Sequence, residues 1–440
     1  MLIQDASRRR FLQRTLGGIG ALGIGTLGTG SHGAGGGQVH AGVPQCFADA
    51  SEMPGGSQPG GDRVLVVLQL SGGNDGLNTV VPLADDEYQK ARPKLAIDRR
   101  AVLAVDDQTG FHPSLSGARE LFDDGKMTIV RGVGYDDPNR SHFESMDIWH
   151  TCRRKQEVRP DGWLGRYLDT VDLPVGGDVP AMHLGREPQP LAMSSQSVRV
   201  PTIRDLDEFR LRGTHRESLR KLLAASKSNA GVQTIAGGQT NTSAAANDLL
   251  RFVQSSTDAA LAASERVREA ATQYRTGTKY PETTLGKKLR VVAQLIDAGL
   301  STRVFYVQLD GFDTHSQQSA AHAALLREWS DAVTAFVKDL QTHDHGQRVC
   351  VMTFSEFGRR VAENASQGTD HGAAGPMFLC GGGLRGGLMG LRPDLNQLNN
   401  GDVQHTIDFR QVYATVLRDW LGLPPEPILG RPYDTLKLFA

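Results

Sequence analysis

Val64–Leu70 is an unbroken run of strand-forming residues, Val-Leu-Val-Val-Leu-Gln-Leu, and it stops at Ser71-Gly72-Gly73-Asn74-Asp75-Gly76. A strand that is apolar on both faces fits only a sheet covered on both sides, and the glycine-rich stop reads as the loop leaving it. Comparable runs predict strands at Met127–Val133, Val304–Leu309, Val349–Phe354 and Met377–Leu379. Between them the apolar period changes to that of a helix. Leu285, Leu289, Val292, Leu295 and Ile296 form one stripe, and Leu325, Trp329, Val333, Phe336, Val337 and Leu340 form another. Phe409–Leu421 reads as a helix stopped by Gly422 and Pro424. Strands alternating with helices predict a doubly wound α/β sheet.

The chain has 440 residues, enough for one large or two ordinary domains. Its 48 basic and 49 acidic residues nearly cancel, so nothing in the balance draws it to nucleic acid. Cys46, Cys152, Cys350 and Cys380 form no Cys-x-x-Cys pair, which argues against a thiolate zinc site. Cys350 and Cys380 sit in or beside apolar runs and are expected as buried free thiols.

The N-terminus has a different character. Ser7-Arg8-Arg9-Arg10-Phe11-Leu12-Gln13 has the form of a twin-arginine export motif. A weakly apolar, glycine-rich stretch follows from Leu16 to Leu27, and Val39-His40-Ala41 offers a cleavage site. Residues 1–41 are therefore expected to be a signal peptide and 42–62 a flexible linker to a domain at 63–440. The signal implies a bacterial, periplasmic or secreted protein whose export partner is the twin-arginine translocase, a route that carries folded cargo. The apolar stretch is short for a membrane span, which needs roughly 20 apolar residues. No stable transmembrane span is expected in the mature chain. Residues 226–277 begin with a Gly/Asn/Thr/Ser-rich segment and continue Ala-rich, and they read as a helical, low-complexity excursion.

In an open α/β sheet, ligands bind beyond the carboxyl ends of the strands. At those places the chain offers Asp75; Arg140, Ser141 and His142; Asp310, Asp313 and His315; Glu356; and, just before the fifth strand, Asp370 and His371. Carboxylates with imidazoles suit a divalent metal, with Zn, Mn, Ca and Mg all open. Two such ions a few ångströms apart could clamp an in-line displacement at phosphorus. The ligand set expected on this reading is Asp75, Asp313, His315, Glu356, Asp370 and His371. Ser141 opening a helix suits a nucleophile, Arg140 an oxyanion holder, and His142 is a further catalytic candidate. Each has a plainer reading. Asp75 can make a turn, Ser141 can cap the helix, and Glu356 can pair with Arg359 or Arg360.

The motifs Gly72-Gly73-Asn74-Asp75-Gly76-Leu77-Asn78, Arg140-Ser141-His142-Phe143, Gly311-Phe312-Asp313-Thr314-His315, Ser355-Glu356-Phe357-Gly358-Arg359 and Thr369-Asp370-His371-Gly372 together resemble the DUF1501 family. These are twin-arginine-exported bacterial proteins of unknown function. That family is similar to the alkaline phosphatase superfamily, which includes sulfatases and phosphomutases. The resemblance implies a three-layer α/β/α sandwich, a mostly parallel, alkaline-phosphatase-like sheet, and a metal site at the strand ends. It implies Asp75 as a first metal aspartate, the Ser141 segment as the nucleophile region, and His371 as a last ligand. Phe357 stands where the superfamily often has a further histidine, and Asp370 could compensate for it. No Cys-x-Pro-x-Arg sequence is present, so the formylglycine of sulfatases is not expected. The function implied is metal-dependent hydrolysis of a small anionic phosphate or sulfate ester. The alternative is a catalytically degenerate relative that binds a ligand, a metal or an envelope partner.

Overall fold

The computed structural model describes residues 61–171, 178–203 and 273–440. The expected signal peptide, nearly all of the linker, and residues 226–272 of the excursion lie outside the described residues.

A nine-stranded sheet organises the domain. In chain order its strands are β1 (Val64–Ser71), β2 (Met127–Gly134), β3 (Ala181–Leu184), β4 (Thr202–Ile203), β5 (Val304–Asp310), β6 (Val349–Phe354), β7 (Gly375–Gly381), β8 (Gly387–Met389) and β9 (Ile407–Asp408). Across the sheet the order is β8-β2-β7-β6-β1-β5-β3-β4, with β9 pairing β2 beyond β8. Leu65 of β1 sits opposite Val304 on one side and Cys350 on the other, both in parallel register. Only β7 is reversed, running antiparallel to β2 and β6. Its beginning therefore lies at the edge where the parallel strands end.

The alternation of β1 divides the core. Val64, Val66, Leu68 and Leu70 pack on one face with the helices α1 (Ser116–Asp123), α4 (Thr284–Asp297) and α5 (Gln318–Thr342). Leu65 and Val67 pack on the other with α2 (His142–Thr151), α3 (Trp163–Thr170) and α6 (Phe409–Thr415). The result is a mostly parallel sheet between two helical layers. Each fully buried aliphatic or aromatic side chain of that core contributes about 1.5–3 kcal/mol.

The five expected strands are present, within a few residues of the expected ends. β3, β4, β8 and β9 were not anticipated, because two to four residues leave too short a pattern to read. The apolar stripe of α5 runs through the buried Leu326, with Leu325 only partly covered. The last helix is divided: Asp408 and Gln411 form a capping box, and the α-helix gives way to a π-helical turn at Val416–Trp420. Cys152, Cys350 and Cys380 are buried free thiols, and burial pushes all three thiols up.

Candidate metal centre

Four loops and one helix start meet at the carboxyl edge of the sheet. Strand β5 ends at Asp310, and Gly311 (φ +109°) turns the chain so that the Phe312 amide donates to the Ser71 carbonyl at 3.1 Å. This fixes Asp313 and His315 just beyond the centre of the sheet. His371 arrives from the start of β7 and forms an isolated bridge with Arg359. Helix α2 is held by its first turn. Ser145 Oγ donates to the Glu356 carbonyl at 2.6 Å, and the Glu356 carboxylate in turn accepts from His142. Gly72 and Gly73 hold positive φ angles of 119° and 81°, and the loops close directly on them. A Cβ at Gly72 would stand 2.3 Å from the Asp313 nitrogen, and one at Gly73 would stand 2.3 Å from the Phe357 ring.

Three imidazoles are held in the same way. His142 Nδ1 donates to Glu356 Oε1 at 2.9 Å, His371 Nδ1 donates to the Arg140 carbonyl at 2.7 Å, and His315 Nδ1 donates to Asp370 Oδ1 at 3.2 Å. Each partner oxygen can only accept, so each Nδ1 carries a proton, and a ring that is neutral presents its lone pair at Nε2. All three Nε2 atoms turn towards Asp313. Asp313 Oδ1 lies 3.0 Å from His371 Nε2 and 3.1 Å from His315 Nε2, while Oδ2 lies 3.4 Å from His142 Nε2. The Nε2 atoms of His315 and His371 are 2.9 Å apart. His142 Nε2 is buried without a hydrogen-bond partner.

Lone pairs facing one another and a carboxylate at about 3 Å repel unless a proton or a cation sits among them. Metal-bound histidines are held in this way, with the far ring nitrogen donating to a carboxylate or carbonyl. Ligands about 2.0–2.1 Å from a tetrahedral zinc-like ion stand roughly 3.3 Å apart, close to the separations observed. His142, Asp313 and His371 form the one group of three or more ligand-type residues close enough to share an ion among the described residues. His315 adds a fourth donor on the Asp313 and His371 side.

Electrostatics support an anionic Asp313. Burial raises its pKa, but the neighbouring His371 and the Arg359 guanidinium outweigh this and hold it down to about 2. The Glu356 hydrogen bond raises the pKa of His142 against the opposing effect of burial. Beneath the imidazoles lies Phe357, its ring centroid 4.9 Å from that of His142 and 4.6 Å from that of His371. It forms a dry wall. On the open side, His142 and Asp313 face a cleft of about 560 Å³ whose walls include Phe143, Met146, Pro190 and Leu191.

The structure separates the expected site residues into layers. Asp313, His315, His371 and His142 converge. Glu356 and Asp370 stand behind them instead of beside the ion position: Glu356 Oε1 takes both the Gly72 amide and His142, and Asp370 Oδ1 takes His315 and Asn364. Asp75 is outside the cluster. Its Oδ2 accepts from Arg92 at 2.6 Å and from Gln318, and both members of the Asp75–Arg92 pair are fully buried. Burial raises its pKa, yet Arg92 and His322 bring it below the usual carboxylate range. Its Oδ2 is thus taken by Arg92 and Gln318, and its Oδ1 meets the Asn78 amide at 3.4 Å. Arg140 spends its guanidinium on Asp402, and it is the Arg140 carbonyl that serves the cluster. Ser141 is exposed at the N-cap of α2, and its side chain makes no capping bond. Asn139 Oδ1 accepts from the Ser141 amide instead, at 2.8 Å.

Two further residues stand at the centre: Arg359, expected at most as a partner of Glu356 but found on Asp313, and Asn364, which had no assigned role. Arg359 is buried and donates to the carbonyls of Gly72, Gly73, Phe312 and Thr369 and to Asp313 Oδ1. Asn364 Nδ2 bridges the His315 carbonyl and Asp370. Arg359 lies within a quoted motif, but its partners are mostly main-chain oxygens, which leave no trace in a sequence.

Residues 62–434 match the family described as "Protein of unknown function (DUF1501)". The chain belongs to the DUF1501 family. No curated protein matches it. Among solved structures, this DUF1501 chain is similar to the C-terminal periplasmic domain of EcEptC from Escherichia coli in complex with Zn. The identity is 10%, the match covers 74% of this chain and 75% of that one, and the TM-score is 0.34. It is also similar to an alkaline phosphatase superfamily protein from Vibrio parahaemolyticus, at 8% identity, 84% and 69% coverage and TM-score 0.37. A third similar structure is the PsFucS1 sulfatase from Pseudoalteromonas sp., at 10% identity, 86% and 71% coverage and TM-score 0.37.

Proposed function

We propose that this DUF1501 protein is an exported, metal-dependent hydrolase of phosphate or sulfate esters. One observation carries the reading: three imidazoles, each fixed at Nδ1 by an acceptor, turn Nε2 towards a single carboxylate, Asp313. His371, Asp313 and His142 would hold the ion, with His315 as a fourth donor. This imidazole-rich set favours Zn²⁺ or a similar transition ion over Ca²⁺ or Mg²⁺. When bound, the ion supplies Lewis-acid polarisation of an ester oxygen and lowers the pKa of a hydroxyl or water.

The chain's own groups supply the rest. Ser141 opens α2 between Arg140, whose carbonyl holds His371, and His142. Its hydroxyl makes no cap and is exposed, as a nucleophile must be. The first amides of α2 stand at the same point, where helix N-termini favour anions. Glu356 keeps His142 in one tautomer, and Phe357 keeps water from the back of the site. The sequence resemblance to the alkaline phosphatase superfamily supports the same chemistry, and the twin-arginine motif supports a periplasmic or secreted location. Among the described residues, no helix is long and apolar enough to cross a membrane.

The second reading is metal binding without turnover. It is favoured by the cleft, whose lining among the described residues includes Asp147, Asp310, Asp313 and Glu356 but no lysine or arginine to meet an anion. The deciding experiment is hydrolysis of aryl phosphates and aryl sulfates by protein loaded with Zn²⁺ or Mn²⁺, beside the His371→Ala variant. Turnover that needs both metal and His371 supports the hydrolase. Tight metal binding with no turnover on either ester class supports the second reading.

A further inference from the structure

We infer that the centre takes one metal ion only, and that the Arg359 guanidinium is a built-in cation standing where a second ion would share Asp313. The inference rests on the proposed metal site and fixes its count. Arg359 is fully buried, and its Nη2 lies 2.8 Å from Asp313 Oδ1, the same oxygen that faces His315 and His371. The guanidinium cannot swing away. Its Nε is held by the Gly73 carbonyl and Nη1 by the Thr369 carbonyl, both at 2.7 Å, and Nη2 also meets Phe312 O at 2.9 Å. Paired catalytic ions sit about 3.5–4 Å apart across shared ligands. A second ion sharing Asp313 would meet a fixed, permanently charged group at its own ligand.

Of the carboxylates that touch the imidazoles, Asp313 also meets Arg359, while Glu356 and Asp370 each hold an imidazole from behind. The remaining carboxylate expected from the sequence, Asp75, is already neutralised by Arg92. No other group of three or more ligand-type residues lies close enough to hold an ion among the described residues. Asp313 is thus a bridging carboxylate, with a metal on one side and an arginine on the other. Arg359 is a positioning residue: it aims Asp313 and occupies the place of a second charge.

The test is a titration of the chelator-stripped full chain with Co²⁺ alone, followed by its visible absorption and by calorimetry. Saturation at one equivalent per chain is expected. Saturation at two tight equivalents overturns the inference and leaves the metal site standing. Absence of any tight binding overturns the metal site itself. Arg359→Lys keeps the charge but loses the Nε and Nη1 anchors on the Gly73 and Thr369 carbonyls that fix Nη2 beside Asp313. It should still take one equivalent, at least tenfold more weakly and with a shifted cobalt band. An unchanged affinity and band would remove Arg359 from this role. Should that variant fail to fold, the count on the native chain still decides.

Discussion

His315 and His371 face one another through their Nε2 atoms at 2.9 Å, with Asp313 Oδ1 within 3.1 Å of both. Replacing His371 by alanine removes one donor and is expected to abolish tight metal binding. Replacing Asp370 by alanine frees only the back of His315, and such outer partners typically cost about 10–100-fold in affinity. Metal content after dialysis against a weak chelator separates the two. Equal losses would make Asp370 a direct ligand.

The Asp75–Arg92 pair gives a different outcome. Both side chains are fully buried, and breaking such a pair from one side costs about 3–5 kcal/mol. Asp75→Ala should therefore lower the unfolding midpoint sharply while the folded fraction keeps its metal. Loss of metal at unchanged stability would restore Asp75 to the ligand set.

Ser141 offers a clean catalytic test because its side chain does not cap α2. Ser141→Ala should change stability by less than about 0.5 kcal/mol, the range of ordinary surface substitutions. If Ser141 is the nucleophile, hydrolysis of an aryl ester falls by at least a hundredfold while metal binding is kept. Full activity in this variant would assign the attack to water.

Acid should weaken the fold well before the carboxylates titrate. Burial holds His150 down to about 3 and His322 down to about 4. Both lie below the unfolded value of about 6.5, so the native state excludes protons that the unfolded chain accepts. Their contribution is complete above about pH 6.5 and shrinks as pH falls, by about 1.4 kcal/mol per unit for each group until its folded value is reached. Urea midpoints of the metal-free protein at pH 7.5, 6 and 5 check this. A flat profile would show that neither histidine stays neutral in the fold.

The proposed export rests on Arg8 and Arg9 within Ser-Arg-Arg-Arg-Phe-Leu. Changing both to lysine should leave the precursor in the cytoplasm, as read by fractionation of cells. Normal delivery to the envelope would show that the N-terminus is not a twin-arginine signal.

The sheet centre was legible because strands buried on both faces are apolar almost throughout, as Val64–Leu68 and Val349–Met352 are. The rule that ligands gather at strand ends picked out Asp313, His315 and His371, which the structure brings together. It also gathered Asp75, Glu356 and Asp370, since a carboxylate reads alike whether it meets a metal, an imidazole or an arginine. What separates them is which acceptor each donor finds in space. Arg92 is 17 residues from Asp75, and Glu356 is 214 residues from His142, so neither pairing leaves a local pattern. The reversed direction of β7 was equally hidden. It depends on the connection 355–374, which stays at the carboxyl edge and brings His371 there.

Strand β1 sits between partners that begin 240 and 285 residues later in the chain, at Val304 and Val349. Such pairings close late, after long loops have been ordered. The groups that would grip an ion, from His142 to His371, come together only once those closures are made. A bound metal would then serve as a gauge of finished assembly: a half-made chain, however compact, has nothing with which to hold it.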